Sequence, residues 1–549
     1  MGARYDYIIV GGGSAGCVVA TRLVRDHGAR VLLVEAGRRD GHPLMRMPAA
    51  FVKLLDRGTY VTRHETTPQA QLGGRVHQIP QARVLGGGST VNGMVYMRGR
   101  PSDYDEWNAT VGGGWGYADI LPHFRAQEDN DHFFNAAHGT GGPLKVSDVR
   151  HTCETSRIFV KTLQGMGHRY NPDFNSGEQR GVGFMQTTID RDGRRSSATT
   201  AFLSQVMRDP RLTVLSETTV TRVLFDGRRA IGVEVAQGGR RETLHADREI
   251  ILAAGAYVSP KLLMLSGIGP ADQLRAHGIE VLVDAPGVGE NLQDHHEVPV
   301  IAQAQPGFGY FHGDTGLRML ANGLQYVLFG TGPVNSIGCD VCAYVNPDRD
   351  AADESVEPSL QFYCIPAVYL DRDVTPIADV PGVTLHSCLV RPKARGTVRL
   401  RSADPFALPL VDPNYLGHPD DMRLSVAGLR FARRVFQAAP MRDIYLRELL
   451  PGADVVSDEA LAAHCRRTVK TNYHPVGTCR MGRDGDPMAV LTPDLRVRGV
   501  EGLRVVDASF FPNLVCGNTN APVLAAADRA VAVMMGETRP APTEEGVTA

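Results

Sequence analysis

The chain begins with an unbroken apolar run. Ile8-Ile9-Val10 follow Tyr5-Asp6-Tyr7, a pattern that predicts a strand buried on both faces. Cys17 to Arg25 carry helical periodicity, and His27-Gly28 end it. A second buried strand, Arg30 to Val34, runs into Glu35. Further on, Leu212 to Leu215 read as a short strand. Val220 to Phe225 and Ala230 to Val235 read as a hairpin across Asp226-Gly227. Arg248 to Ala254 form another buried strand ending at Gly255, with helix resuming near Pro260. Residues 41–75 and 106–200 read as loop-rich. Residues 296–470 mix Pro-bounded strands with helices, including amphipathic Asp420 to Phe436, with Leu424, Leu429, Phe431 and Val435 near one face. Ser457 is placed to cap a helix over Asp458 to Val469. Asn520-Ala521-Pro522 reads as an N-cap with Pro in the first turn of a helix over Val523 to Met535. The Pro-, Thr- and Glu-rich tail, 537–549, is expected to be disordered.

Composition narrows the function. The 549 residues have room for two to four domains, and 43% hydrophobic with 21% charged residues is ordinary globular usage. A net charge of -2 carries no basic excess, so no nucleic-acid partner is expected. The most apolar run, Ile250 to Gly269, contains Ser259, Pro260 and Lys261 and falls short of the ~20 apolar residues a membrane span needs. The opening Met1-Gly2-Ala3-Arg4 has no signal-peptide pattern, and Asp6 stands where a myristoylation signal needs Ser or Thr. Nine scattered cysteines suit a reducing, cytoplasmic setting. Cys339-x-x-Cys342 lacks a second pair and reads as core thiols, so no metal is expected.

The first 35 residues carry the sharpest chemistry. Gly11-Gly12-Gly13-Ser14-Ala15-Gly16 lies between strand and helix, and Glu35 follows Gly16 by 19 residues at the second strand's tip. In a βαβ unit, Gly11 allows the tight turn, Gly13 lets backbone amides reach a pyrophosphate, and Gly16 lets helix and strand pack closely. The helix N-terminus attracts phosphate charge. Glu35 is placed to hold ribose hydroxyls and disfavours a 2′-phosphate, so the nucleotide is of the NAD or FAD type.

Longer motifs bring in a family. Ala82-Arg83-Val84-Leu85-Gly86-Gly87-Gly88-Ser89-Thr90-Val91-Asn92 resembles the first signature of the glucose-methanol-choline (GMC) flavin oxidoreductases, and Gly255 to Gly269 resembles the second. Gly287-Val288-Gly289-Glu290-Asn291-Leu292-Gln293-Asp294-His295, Tyr473-His474-Pro475-Val476-Gly477-Thr478, Arg504 to Ser509 and Gly517 to Pro522 are similar to further family segments, in family order. Glu35 to Pro43 and Arg391 to Pro405 resemble a bacterial branch that includes L-sorbose and polyethylene-glycol dehydrogenases.

The resemblance implies an α/β plus α+β fold. A Rossmann-like FAD-binding domain would comprise 1–40, 76–105, 201–295 and 470–536. A discontinuous substrate domain (41–75, 106–200 and 296–469) would be an antiparallel sheet covered by helices. It implies FAD-dependent oxidation of an alcohol, such as a primary alcohol, polyol or sugar, with electrons passed to a quinone or other acceptor. An oxygen-using oxidase, a choline dehydrogenase-like enzyme, and a lyase or photodecarboxylase on the same fold stand as alternatives.

The resemblance assigns His474 as the base that takes the hydroxyl proton while hydride leaves for flavin N5, and Asn518 as its partner in orienting the substrate oxygen. Ser14, Ala15, Ala36, Arg83, Gly88, Gly255, Ala508 and Thr519 join the glycines and Glu35 around the cofactor. Asn92, Gly93, Met94 and Val95 are expected against the isoalloxazine, the Val220 backbone at adenine and Asp507 near the ribityl-phosphate. The helix after Asn520 is expected to aim its positive end at the flavin pyrimidine. Val91 stands where covalently flavinylated members have His, which implies non-covalent FAD.

Overall fold

The computed structural model describes residues 4–537 apart from 57, 372, 373 and 375–377. Apart from Glu537, the tail expected to be disordered lies outside the described residues.

Tyr5–Val10 forms the centre of a sheet because Ile8 and Ile9 are apolar on both faces and fully buried. Val31–Val34 and then Leu212–Leu215 join it in parallel on one side. On the other lies Arg240–Leu252, which also takes Leu503–Val505 in parallel. That long strand changes partners along its length. Its second half pairs with Tyr5–Val10, while its first half runs antiparallel to Arg229–Gln237, which pairs in turn with Thr219–Asp226. The apolar pattern predicts only the second half. In the first half most positions, including Arg240, Arg241 and Glu242, are exposed and polar, so no buried-strand signal marks them.

The Ser14–Arg25 helix starts three residues before the apolar periodicity does. The Asn520–Met535 helix packs against it. Ala525, Ala526 and Ala527 are fully buried there, and their small side chains let the two helices approach closely. Asn520 is the first helical residue and not the N-cap; Thr519 occupies that position without a side-chain cap bond. Asn520 Oδ1 instead accepts a 2.8 Å hydrogen bond from Ser14 Oγ, which ties the two helix starts together.

A second sheet is antiparallel throughout. Its order is Tyr445–Leu450, His296–Ala304, Gly382–Leu389, Leu360–Ile365, Val341–Val345 and Gly181–Phe184, and Lys470–Thr471 pairs onto His296–Ala304. The Pro419–Gln437 helix buries Leu429, Phe431 and Val435 against it. Ser457 caps Asp458–Thr468, its Oγ accepting from Ala460 N at 3.2 Å.

Residues 41–75 and 106–200 depart from the loop-rich expectation. They contain or complete the helices Pro101–Val111, Tyr117–Gln127 and Glu154–Gly165, and strands such as Val61–Glu65 and Leu144–Asp148. Part of the packing here is polar. Arg98 and Glu128, both with fully buried side chains, form an ion pair, and His138 bridges Glu128 and Asp173 at 2.9 Å each. Hydrophobic periodicity does not register such a core. All nine cysteines are free, and Cys342 packs in the core with Cys339 against it. Among the described residues, no helix is long and apolar enough to cross a membrane.

Candidate active site

A cavity of about 1280 Å³ runs from the first βαβ turn to the antiparallel sheet. That exceeds the roughly 300–1,000 Å³ of an ordinary ligand pocket and leaves room for a dinucleotide with a substrate. Gly11, Gly13, Ser14, Ala15, Glu35, Ala36, Arg83, Gly88, Asn92, Gly93, Met94, Val95, Val220, Gly255, Asp507, Ala508 and Thr519 all line it, together with His474 and Asn518. Gly16 does not. A Cβ there would lie 2.0 Å from the Gly11 carbonyl oxygen, so Gly16 acts through helix–strand contact.

The first turn suits a pyrophosphate. Gly11 has φ +108°, and a Cβ on it would meet the Ala253 carbonyl oxygen at 2.4 Å. Gly13 is the N-cap of Ser14–Arg25 and supplies no side-chain cap, so the helix's first amides face the cavity wall without one. Side chains on Gly88 and Gly93 would meet no protein atom within 4 Å, which leaves open space for a ligand against their backbone. Glu35 is buried. Its Oε2 accepts from Gly12 N at 2.8 Å and its Oε1 from Gly37 N at 2.7 Å. Burial raises its pKa, with those two amides opposing the rise. Each oxygen keeps a second lone pair for a ribose hydroxyl. Buried Tyr257 Oη and His64 Nδ1, also in the lining, have no hydrogen-bond partner among the described residues. The lining thus fits a dinucleotide cofactor.

Asp507 accepts from Gly255 N at 2.9 Å and from Ser259 Oγ at 2.5 Å with Oδ2. Its Oδ1 takes the Ser509 amide at 2.8 Å. It therefore shapes the Gly255 turn as well as lining the cavity. Asn92 Oδ1 accepts from Met94 N at 3.0 Å and from Arg195 Nη1 at 2.7 Å. Met94 is held at φ +58° and Tyr473 at φ +64°, left-handed conformations rare for non-glycine residues, and both line the cavity.

At the far end stands His474. Register brings it into place: His296 pairs with Thr471, Glu297 with Lys470, and the Asn472 amide bonds to the His295 carbonyl at 2.8 Å. His295 and His474 consequently meet Nδ1 to Nδ1 at 3.0 Å. His295 Nε2 lies 3.1 Å from the Val390 carbonyl, so that nitrogen carries the proton. Burial holds the His295 pKa at about 4, and the ring is neutral. Its Nδ1 is then the acceptor, and His474 Nδ1 the donor. This leaves His474 Nε2 unprotonated, facing Asn518 Nδ2 at 3.3 Å. Burial, with a smaller contribution from His295, depresses the His474 pKa well below 6.5. The Asn518 amide is oriented by Tyr363, whose hydroxyl lies 3.2 Å from Asn518 Oδ1. Asp294 Oδ1 accepts from the His474 amide at 2.9 Å, and its Oδ2 takes the Tyr415 and Thr471 hydroxyls at 2.5 and 2.6 Å.

The motif that carries His295 and Asp294 is plain in the sequence, but their roles depend on a two-residue strand pairing that no periodicity reveals. Lys470 was equally hidden. Directly across from Glu297, its Nζ lies 2.7 Å from that carboxylate and 5.5 and 5.1 Å from the Tyr369 and Tyr473 ring centres.

Fold and site together define a dinucleotide-binding oxidoreductase with a His–Asn pair in the wall of its cavity. Family models described as GMC oxidoreductase match residues 5–297 and 392–527. The chain is 41% identical over 540 residues to an alcohol dehydrogenase [acceptor] of Pseudomonas putida, covering 97% of this chain and 96% of that one. It is 38% identical over 534 residues to an oxygen-dependent choline dehydrogenase of Brucella anthropi, covering 97% and 96%. The crystal structure of pyridoxine 4-oxidase from Mesorbium loti superposes with a TM-score of 0.88 at 33% identity, covering 97% of this chain and 100% of that one. The chain belongs to the GMC oxidoreductase family, whose relatives oxidise alcohols.

Proposed function

We propose that this enzyme oxidises an uncharged alcohol, a primary alcohol or polyol, to a carbonyl compound, with His474 as the base. FAD is the cofactor. When bound, it accepts the hydride that leaves the carbinol carbon. The observation that carries the reading is the hydrogen-bond chain from the Val390 carbonyl through His295 to His474, which keeps an unprotonated Nε2 at the cavity wall. A substrate hydroxyl there would give its proton to Nε2 while Asn518 Nδ2 holds the oxygen. Val91, in the cavity lining, offers no nucleophile for a covalent flavin link, which supports non-covalent FAD. We assign the FAD-binding part to 1–40, 76–105, 201–295 and 470–536. All strands of the mixed sheet fall within it, although Lys470–Thr471 pairs with the other sheet. The free thiols support a cytoplasmic setting, and the acceptor relative supports transfer of electrons to a quinone or similar acceptor.

Lys470 favours an uncharged substrate over choline. A quaternary ammonium is held by aromatic faces and an anion. Here the Tyr369 and Tyr473 faces and the Glu297 carboxylate are already taken by the protein's own ammonium. The test is anaerobic reduction of the bound flavin by polyols, sugars, glycol ethers, aromatic alcohols and choline. Uncharged alcohols should bleach the flavin band. Bleaching by choline alone would overturn the substrate assignment.

A further inference from the structure

The Gly316–Phe329 helix is amphipathic in the inverted sense. Asn322 and Tyr326 face the protein: Asn322 Nδ2 donates to the Gly313 carbonyl at 2.8 Å, and Tyr326 Oη to the Gly193 carbonyl at 3.1 Å. Most of its apolar residues face outward, and none of its residues is buried. Leu317 is 84% exposed, Leu320 64%, Leu324 60%, Val327 75% and Leu328 61%. At about 100° per residue these five fall within an arc of about 100°. Among the described residues, seven of the fifteen exposed large apolar side chains belong to this one helix. Arg318 is its only charged residue. The helix also borders the cavity, where Met319, Asn322 and Gly323 form part of the wall.

We propose that this helix lies in the plane of a phospholipid bilayer surface, with the Leu317–Leu328 stripe in the acyl boundary. In-plane helices bind through such an apolar face without crossing the membrane. The make-up of the face decides between a bilayer and a second copy of the chain. Its stripe is four leucines and one valine, with no Tyr, Trp or Arg among them. Protein interfaces are anchored mainly by Trp, Tyr and Arg, and Leu and Val are under-represented among those anchors. A bilayer needs no such anchor, because each inserted side chain contributes on its own. The membrane contact does not depend on the identity of the substrate or the base.

The test is flotation of the FAD-loaded enzyme with vesicles of phosphatidylcholine, alone and with phosphatidylglycerol, alongside light scattering without lipid. The wild type should float with both vesicle types. The double variant Leu320→Glu/Leu324→Glu should lose about a hundredfold or more in partitioning, since each buried leucine is worth about tenfold or more. Leu324→Phe should still float. All three proteins should keep FAD and reduce a water-soluble acceptor equally fast, because these side chains point away from the cavity. A wild type that stays at the bottom of the gradient overturns the proposal. So does a lipid-free dimer that the double variant dissociates while vesicles bind neither protein.

Discussion

Two side chains that sequence motifs left without a role govern the site. His295 acts through His474, accepting its Nδ1–H and so holding the tautomer that exposes Nε2. His295→Phe removes that acceptor. FAD should remain bound, and flavin reduction by substrate should slow about tenfold, the scale of one buried hydrogen bond. Burial lowers the His474 pKa well below 6.5, and His295 adds charge repulsion once its own ring is protonated, near pH 4. In wild type the acid limb of the reduction rate should therefore lie below pH 6.5, and His295→Phe should shift it. An unmoved limb would reduce His295 to packing. Lys470→Met should free Glu297 and the two tyrosine faces for a cation, so that choline begins to reduce the flavin. If choline reduces the wild type as fast as an uncharged alcohol, Lys470 sets no specificity. Family motifs in the sequence pointed to His474 and Asn518. The sequence could not show Lys470, because a lysine in a two-residue strand looks like any surface charge.

At the scale of the element, glycines decide whether strand, turn and helix close on the cofactor. Gly16→Ala would put a methyl group 2.0 Å from the Gly11 carbonyl oxygen, a backbone atom that cannot step aside. Overpacking of this kind costs about 1–3 kcal/mol. The variant should purify with less FAD and melt at a lower temperature. Wild-type FAD content and Tm would mean that the helix does not need the close approach. This βαβ unit was readable in full, since apolar strand, glycines and acid all sit within 35 residues. Two other elements were not. The first half of Arg240–Leu252 alternates too little apolar character to register, and Asn520 looks like an N-cap until its side chain is seen bonded to Ser14.

For the molecule as a whole, buried histidines set an acid limit. His64, His295 and His464 are each held at about 4 by burial, against 6.5 for a solvated imidazole. Between those values the unfolded chain binds protons that the native protein refuses, so stability falls as pH drops from 6.5 toward 4. The Tm of the FAD-loaded enzyme should fall steadily across that range and level off above it. A Tm unchanged from pH 7 to pH 4.5 would contradict neutral buried rings. The two-sheet architecture followed from family motifs more than from periodicity. The polar Arg98–Glu128–His138–Asp173 packing shows why: part of the interior between 98 and 173 is held by charge, which an apolar pattern does not record.

The central claim is that His474 Nε2 takes the substrate proton in a cavity that FAD fills. Stopped-flow mixing of the anaerobic, FAD-loaded enzyme with its best alcohol tests it, comparing wild type with His474→Ala. Loss of the base should slow bleaching of the flavin band by about two to four orders of magnitude, with FAD content and Tm close to wild type. Bleaching at near wild-type speed in His474→Ala, with FAD fully bound, would place the base elsewhere and contradict the account.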